Sequence, residues 1–152
     1  MSEINFRPWV GEKYFSEGYK GKRILVLGES HYCQNELKEG GSCFPLCQKE
    51  KMDEDCFLQT EAVIRNYVED YSGEKYQQTF LCFERAVLGK EISQDERKDF
   101  WDRVMFYNYV QFSLSGPRTS PTNEQWSMSE NAFKELLETY MPDYIIVWGT
   151  RL

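Results

Sequence analysis

Runs of apolar residues separated by polar turns predict three β-strands in this chain. A continuous apolar run over 24–27 ends at Gly28, and a run of this kind is typical of a strand buried on both faces of a parallel sheet. The segments 104–112 and 144–149 are rich in β-branched and aromatic residues, which predicts a second and a third strand. The three strands are well separated along the chain.

Helical spacing of apolar residues fills the segments between these strands. It predicts helices over 57–71 and 76–88, and a last helix that ends before Pro142. Ser93 with Glu96, and Ser127 with Glu130, have the spacing of a capping box and predict that two helices begin there. Strands that alternate with helices indicate an α/β fold with a parallel sheet and right-handed crossovers. Because little follows the third strand, we expect a truncated chain that lacks its carboxyl-terminal elements.

Length and composition indicate a single domain. The chain has 152 residues, of which 41% are hydrophobic and 16% aromatic, enough for one core and too many for a disordered chain. Segment 1–22 is expected to be an irregular aromatic arm, and 33–55 a cysteine-rich loop. No apolar run is long enough to span a membrane and no signal peptide is recognisable, which favours a cytoplasmic location. The net charge of −7 counts against non-specific binding of nucleic acid.

The polar residues that follow the first strand are the main candidates for chemistry. Ligands of open α/β sheets bind at the carboxyl ends of the strands, which is where Glu29, Ser30, His31 and Tyr32 lie. The alternative is an ordinary exit from a strand. His31 is the single histidine, and it could orient water, donate a hydrogen bond to a leaving base, or bind a metal. A hydrolase that uses His31 with Glu29 is a further possibility.

Four cysteines close to His31 raise the possibility of a metal site. They are Cys33, Cys43, Cys47 and Cys56. Four sulfur or nitrogen ligands suit zinc, and four thiolates suit an iron-sulfur cluster. The spacing contains no C-x-x-C pair, so free or partly buried thiols are the alternative. The fifth cysteine, Cys82, lies on an apolar helix face and is expected in the core.

Three segments together resemble the uracil-DNA glycosylase superfamily. The sequence Ile-Leu-Val-Leu-Gly-Glu-Ser-His-Tyr over 24–32 resembles the first strand and water-activating loop of that superfamily. Tyr-Asn-Tyr-Val-Gln over 107–111, followed by Gly-Pro-Arg and Pro-Thr, looks like the second strand and loop of its iron-sulfur branches. Segment 136–149 is similar to the helix and strand that come next. The resemblance implies a three-layer α/β/α fold with a central parallel sheet.

The resemblance also implies an activity, hydrolysis of the N-glycosidic bond of a deaminated or damaged base in DNA, as in DNA repair. Gly28 and Glu29 match the start of the water-activating loop, whereas Ser30 stands where some branches have aspartate. His31 replaces the usual proline. Two further positions match residues that contact the base: Tyr32 matches a tyrosine that excludes the methyl group of thymine, and Asn108 matches the asparagine that reads the base edge.

Other features of the chain favour a binding role. Arg118 is a candidate for phosphate binding, or else an ordinary surface arginine. The family's His-Pro-Ser motif would follow the third strand and is not present here. The alternative function is therefore a catalytically inactive module that binds a nucleotide or a protein. No cofactor is required in either case, a DNA strand or a nucleotide base is the expected partner, and the oligomeric state is left open.

Overall fold

The structure is a computed structural model that describes residues 2–33, 52–116 and 118–152. These residues form a mixed α/β fold with one four-stranded sheet. The strands are β1 Trp9–Val10, β2 Ile24–Gly28, β3 Met105–Asn108 and β4 Tyr144–Val147. The helices are α1 Glu54–Phe57, α2 Gln59–Glu69, α3 Lys75–Leu88, α4 Gln94–Asp102 and α5 Asn123–Tyr140. The α/β class predicted from the sequence is confirmed.

The sheet has the order β1-β3-β2-β4. Strand β2 runs parallel to β3 and to β4, and its last residue, Gly28, lies opposite Asn108. Strand β1 pairs antiparallel with β3, so the expectation of an irregular arm over 1–22 is wrong at Trp9 and Val10. A strand of two residues is too short to leave an alternating pattern in the sequence.

Helix boundaries follow local capping chemistry. Gly89 ends α3 in the left-handed conformation with φ of 70°, and Ser93 with Glu96 forms the expected capping box of α4. The start predicted at Ser127 is wrong, because α5 begins at Asn123 with Thr122 as its N-cap. The Thr122 side chain accepts a hydrogen bond from the Gln125 main chain. Thr122 and Gln125 form the capping box of this helix, five residues before the predicted pair of Ser127 and Glu130.

Two apolar clusters pack against the sheet. Val26 and Phe106 join side chains of α2, α3 and α4 in one cluster. Leu25, Leu27 and Tyr107, which alternate with them along the strands, join Leu136 of α5 in the other, as the two-residue period of a strand requires. Cys82 is exposed, so its expected place in the core is wrong. Within the described ranges no helix is both long and apolar enough to cross a membrane.

Candidate functional site

The main chain continues to pair beyond the carboxyl ends of β2 and β3. The Tyr109 N–H donates to the Gly28 carbonyl at 2.9 Å and the Val110 N–H donates to the Glu29 carbonyl at 2.8 Å. Further along, the Leu114 N–H donates to the His31 carbonyl at 2.8 Å. These bonds hold the loop after β2 beside the loop after β3, so that candidate residues from both loops share one end of the sheet.

A cavity of about 450 Å³ opens at this end of the sheet. Six residues predicted from the sequence line it: Gly28, Glu29, Ser30, His31, Tyr32 and Asn108. The facing wall comes from α2, α3 and the sheet and is largely aromatic, with Tyr76, Phe80, Phe106 and Trp148. The structure therefore brings these predicted residues together and adds aromatic rings, inclined to one another by 54–68°, to the same lining.

His31 is buried, with 5% of its surface exposed, and burial lowers the pKa of its imidazole to about 4. Its Nε2 lies 2.7 Å from Thr60 Oγ1. The Asn108 side-chain nitrogen lies within reach of both ring nitrogens, 3.3 Å from Nδ1 and 3.1 Å from Nε2. Because an amide nitrogen can only donate, each ring nitrogen has one partner when Nδ1 accepts from Asn108 and Nε2–H donates to Thr60. A neutral histidine in this state orients Asn108 and carries no charge.

Asn108 depends on the absence of a side chain at Gly28. A Cβ atom at position 28 would overlap the Asn108 amide oxygen, and would lie 3.1 Å from the Phe106 ring. The glycine therefore leaves space for the amide to lie across the end of β2, where both residues line the cavity. With its nitrogen donating to His31, the amide keeps its oxygen as an acceptor at this position.

Glu29 forms an ion pair with Arg151, which lies near the carboxyl end of the sequence. Arg151 donates to both carboxylate oxygens of Glu29, from Nε at 2.8 Å and from Nη2 at 2.5 Å. A third hydrogen bond from Arg151, at 2.6 Å, reaches Ser120 Oγ. The carboxylate is therefore fixed at the cavity and its charge is balanced. No local pattern in the sequence marks this contact, because the partners are 122 positions apart.

Two polar atoms of the lining residues are buried without a partner. Ser30 Oγ and Trp148 Nε1 make no hydrogen bond within the part of the chain that the structure describes. Buried polar atoms are rarely left in this state, and each costs free energy. Both groups can donate a hydrogen bond, so an acceptor that reached them would lower that cost.

The remaining predicted residues that the structure describes do not line the cavity. Arg118 is exposed, has a φ of 69°, and is not part of the lining. Cys33 and Cys56 are partly buried, whereas Cys43 and Cys47 lie outside the described residues. Among the residues of 2–33, 52–116 and 118–152, no three potential metal ligands come together.

A second cavity, of about 570 Å³, lies between the amino-terminal segment and α4. Four of its charged side chains already pair with each other, Lys90 with Glu96 and Arg103 with Asp99. It also lies away from the carboxyl ends of the parallel strands, where ligands of α/β folds bind. The cavity beside Asn108 is therefore the better candidate for a functional site.

Comparison with known proteins gives no relative to draw on. No family model, no curated protein and no solved structure matches this chain. The chemistry of the cavity is therefore the basis for any inference about function.

Proposed function

We propose that the cavity at the ends of β2 and β3 binds a nucleobase, whose edge is read by Asn108. The observation that carries this proposal is the presence, in one cavity, of an oriented amide and an aromatic wall. A flat heterocycle stacks on aromatic rings, and its edge needs polar partners in fixed positions. These are the two properties that this cavity combines.

The charge of the lining favours a neutral ligand. Among the described residues that line the cavity, Glu29 is the one acidic side chain and His31 is neutral. Arg151 balances the charge of Glu29. The volume of about 450 Å³ lies in the usual range of small-molecule sites, about 300–1,000 Å³. A base with its sugar is of suitable size and charge.

The hydrogen-bonding groups suit a base edge that carries both donors and acceptors. The Asn108 oxygen offers an acceptor. Ser30 Oγ and Trp148 Nε1 are donors without a partner in the described ranges, and because both atoms are buried, a small movement of their side chains must accompany any hydrogen bond to the base. Nucleobases present alternating donors and acceptors along their edges. A purely apolar ligand would leave these groups without partners, which is unfavourable.

We extend the proposal to the fold, as a three-layer α/β/α domain of uracil-DNA glycosylase type. Two observations support it. Apolar clusters lie against both faces of the sheet, and Gly28 lies opposite Asn108 in the register of β2 and β3. Gly28 and Asn108, which both match positions of that superfamily, are therefore neighbours across the two strands.

A second candidate function is hydrolysis of the N-glycosidic bond of a deaminated base in DNA. The observation that favours it is the Glu29 carboxylate, which Arg151 fixes at the cavity. A fixed carboxylate can accept a hydrogen bond from water and orient it for attack. The net charge of −7 counts against non-specific binding of DNA, so such an enzyme needs a local basic surface to contact the backbone.

The binding proposal is tested by calorimetric titration with uridine, cytidine, adenosine and guanosine. We expect at least one nucleoside to bind, and Asn108→Ala to weaken that binding by about tenfold, the value of a buried hydrogen bond. Asn123→Ala is the matched control, since Asn123 is exposed at the start of α5. Equal binding by the Asn108 variant and the wild type would exclude the proposed reading of the base.

Hydrolysis is tested separately with a uracil-containing oligonucleotide, followed by alkaline cleavage at abasic sites. If Glu29 orients water, Glu29→Gln should abolish release of the base, while Glu138→Gln, at an exposed position of α5, should leave it unchanged. Binding of nucleosides without release of uracil would support the binding module and exclude hydrolysis of uracil from DNA.

A further inference from the structure

Gln111 lies behind the cavity and is 1% exposed. Its Nε2 donates to the Asn108 carbonyl at 2.9 Å, and its own main-chain N–H donates to Ser129 Oγ of α5 at 3.0 Å. These bonds fix the main chain of Asn108 where β3 ends and attach it to α5. Gln111 does not itself line the cavity.

The same side chain anchors the amino-terminal segment. Gln111 Oε1 accepts hydrogen bonds from the main-chain N–H of Asn5 at 2.8 Å and of Phe6 at 3.0 Å. The Asn5 side chain returns a bond to the Gln111 carbonyl at 3.0 Å. Asn5 and Phe6 are both buried, so this segment packs as part of the interior.

Phe6 closes the connection back to Asn108. Its ring meets the His31 ring edge-on, with 5.0 Å between centroids, and His31 accepts the hydrogen bond from the Asn108 amide. Gln111, Phe6, His31 and Asn108 therefore form a closed circuit of contacts. Every member is at most 7% exposed, which leaves little freedom for any one of them to move alone.

We propose that Gln111 is a positioning residue that orients Asn108 for the ligand. It holds the Asn108 main chain directly, and it holds the Asn108 amide through Phe6 and His31. The inference rests on the proposed role of Asn108 in reading a base. An amide that is already oriented loses less conformational entropy on binding than one that must be ordered by the ligand.

The first test needs no ligand and reads the Asn108 side-chain amide and the His31 ring nitrogens by nuclear magnetic resonance. In Gln111→Met we expect both sets of signals to shift or broaden. Phe6→Leu leaves the hydrogen bond from Gln111 to the Asn108 main chain intact. It should therefore move the His31 and Asn108 side-chain signals only through the lost contact between the Phe6 and His31 rings. Unchanged Asn108 and His31 signals in both variants would overturn the proposal.

Glu84→Gln is the control for a general loss of stability. Glu84 is fully buried and bonded to Arg97 and Trp101, and none of these three residues lines the cavity. This variant should unfold more easily while its Asn108 and His31 signals stay as in the wild type. If it moved those signals as much as Gln111→Met does, the effect of Gln111 would be one of stability alone.

The second test compares nucleoside affinity in a double-mutant cycle, at a temperature where all variants are folded. Gln111→Met should weaken binding by about fivefold to tenfold in the wild type and by less than about twofold in Asn108→Ala. An equal loss in both backgrounds would contradict action through Asn108. If the wild type binds no nucleoside, the proposed function fails, and the spectra still decide whether Gln111 orients Asn108.

Discussion

At the scale of single residues, Gly28 controls the position of the Asn108 amide. A methyl group at Gly28 would overlap the Asn108 oxygen and approach the Phe106 ring. We expect Gly28→Ala to lower the free energy of unfolding by about 1–3 kcal/mol, as overpacking does, and to abolish nucleoside binding. Urea denaturation and calorimetry measure the two effects.

Gly116→Ala is the control for Gly28→Ala, because no atom of the residues that the structure describes lies within 4 Å of a Cβ atom at that position. Its stability and its binding should match those of the wild type. If Gly28→Ala behaved in the same way as this control, the amide would not lie against Gly28 as described.

His31 makes stability depend on pH. Burial lowers its pKa from 6.5 to about 4 in the folded chain, so between these values the unfolded chain binds a proton that the folded chain does not. The free energy of unfolding should therefore fall as the pH falls from about 6.5 to 4, by about 3 kcal/mol in all. The stability linked to the neutral His31 imidazole is therefore complete above about pH 6.5 and is lost as the pH falls to about 4.

The measurement is urea denaturation at about pH 7 and about pH 5, in the wild type and in His31→Gln. Since His31 is the single histidine, the substitution removes this proton linkage entirely. The stability of the variant should change less between the two values of pH than that of the wild type. If the free energy of unfolding changed by the same amount between the two pH values in both proteins, the imidazole would titrate normally and would not be buried.

At the scale of secondary structure, the start of α5 differs from the start predicted at Ser127. Thr122 caps the helix with its side chain, whereas Ser127 lies inside it. We expect Thr122→Ala to lower the free energy of unfolding by about 1 kcal/mol, the usual value of an N-cap. Ser127→Ala should have almost no effect, and the opposite order in urea denaturation would move the start of the helix to Ser127.

Helices α3 and α4 are joined by a buried ion pair. Arg97 donates to the fully buried Glu84 at 2.9 Å, and the Trp101 indole donates to the same carboxylate. Glu84→Ala leaves a buried arginine without its counter-charge, which should lower the free energy of unfolding by about 3–5 kcal/mol.

The exposed pair of Lys90 and Glu96 provides the comparison for the buried one. Lys90→Ala should change the free energy of unfolding by less than about 1 kcal/mol, because solvent screens the pair. Equal losses on removing Glu84 and Lys90, measured by urea denaturation, would show that Glu84 is not buried in the way described.

At the scale of the whole molecule, the sequence predicted the parts that depend on local patterns. The apolar run of β2, its end at Gly28 and the capping box of α4 were visible because each is encoded by neighbouring residues. Glu29, Ser30 and His31 were expected at the site because ligands bind at the carboxyl ends of parallel strands. Asn108 was expected there only through the resemblance to uracil-DNA glycosylases, and it lines the same cavity.

The contacts that complete the site could not be predicted. Arg151 reaches Glu29 across 122 positions, Phe6 reaches His31 through tertiary packing, and Thr60 approaches His31 from α2. No local period or motif marks such pairs. Arg118, chosen for its glycine- and proline-rich loop, is exposed and does not line the cavity. Loop composition does not indicate which side chain faces a cavity.

The central claim, that the cavity binds a nucleobase through Asn108, is tested most directly by titrating the isotope-labelled protein with nucleosides and following two signals. These are the Asn108 side-chain amide and the Trp148 indole N–H, which both belong to the lining. We predict that both signals move together and saturate with one of the nucleosides, and that neither moves with ribose alone. Signals that stay unchanged with every nucleoside would contradict the account.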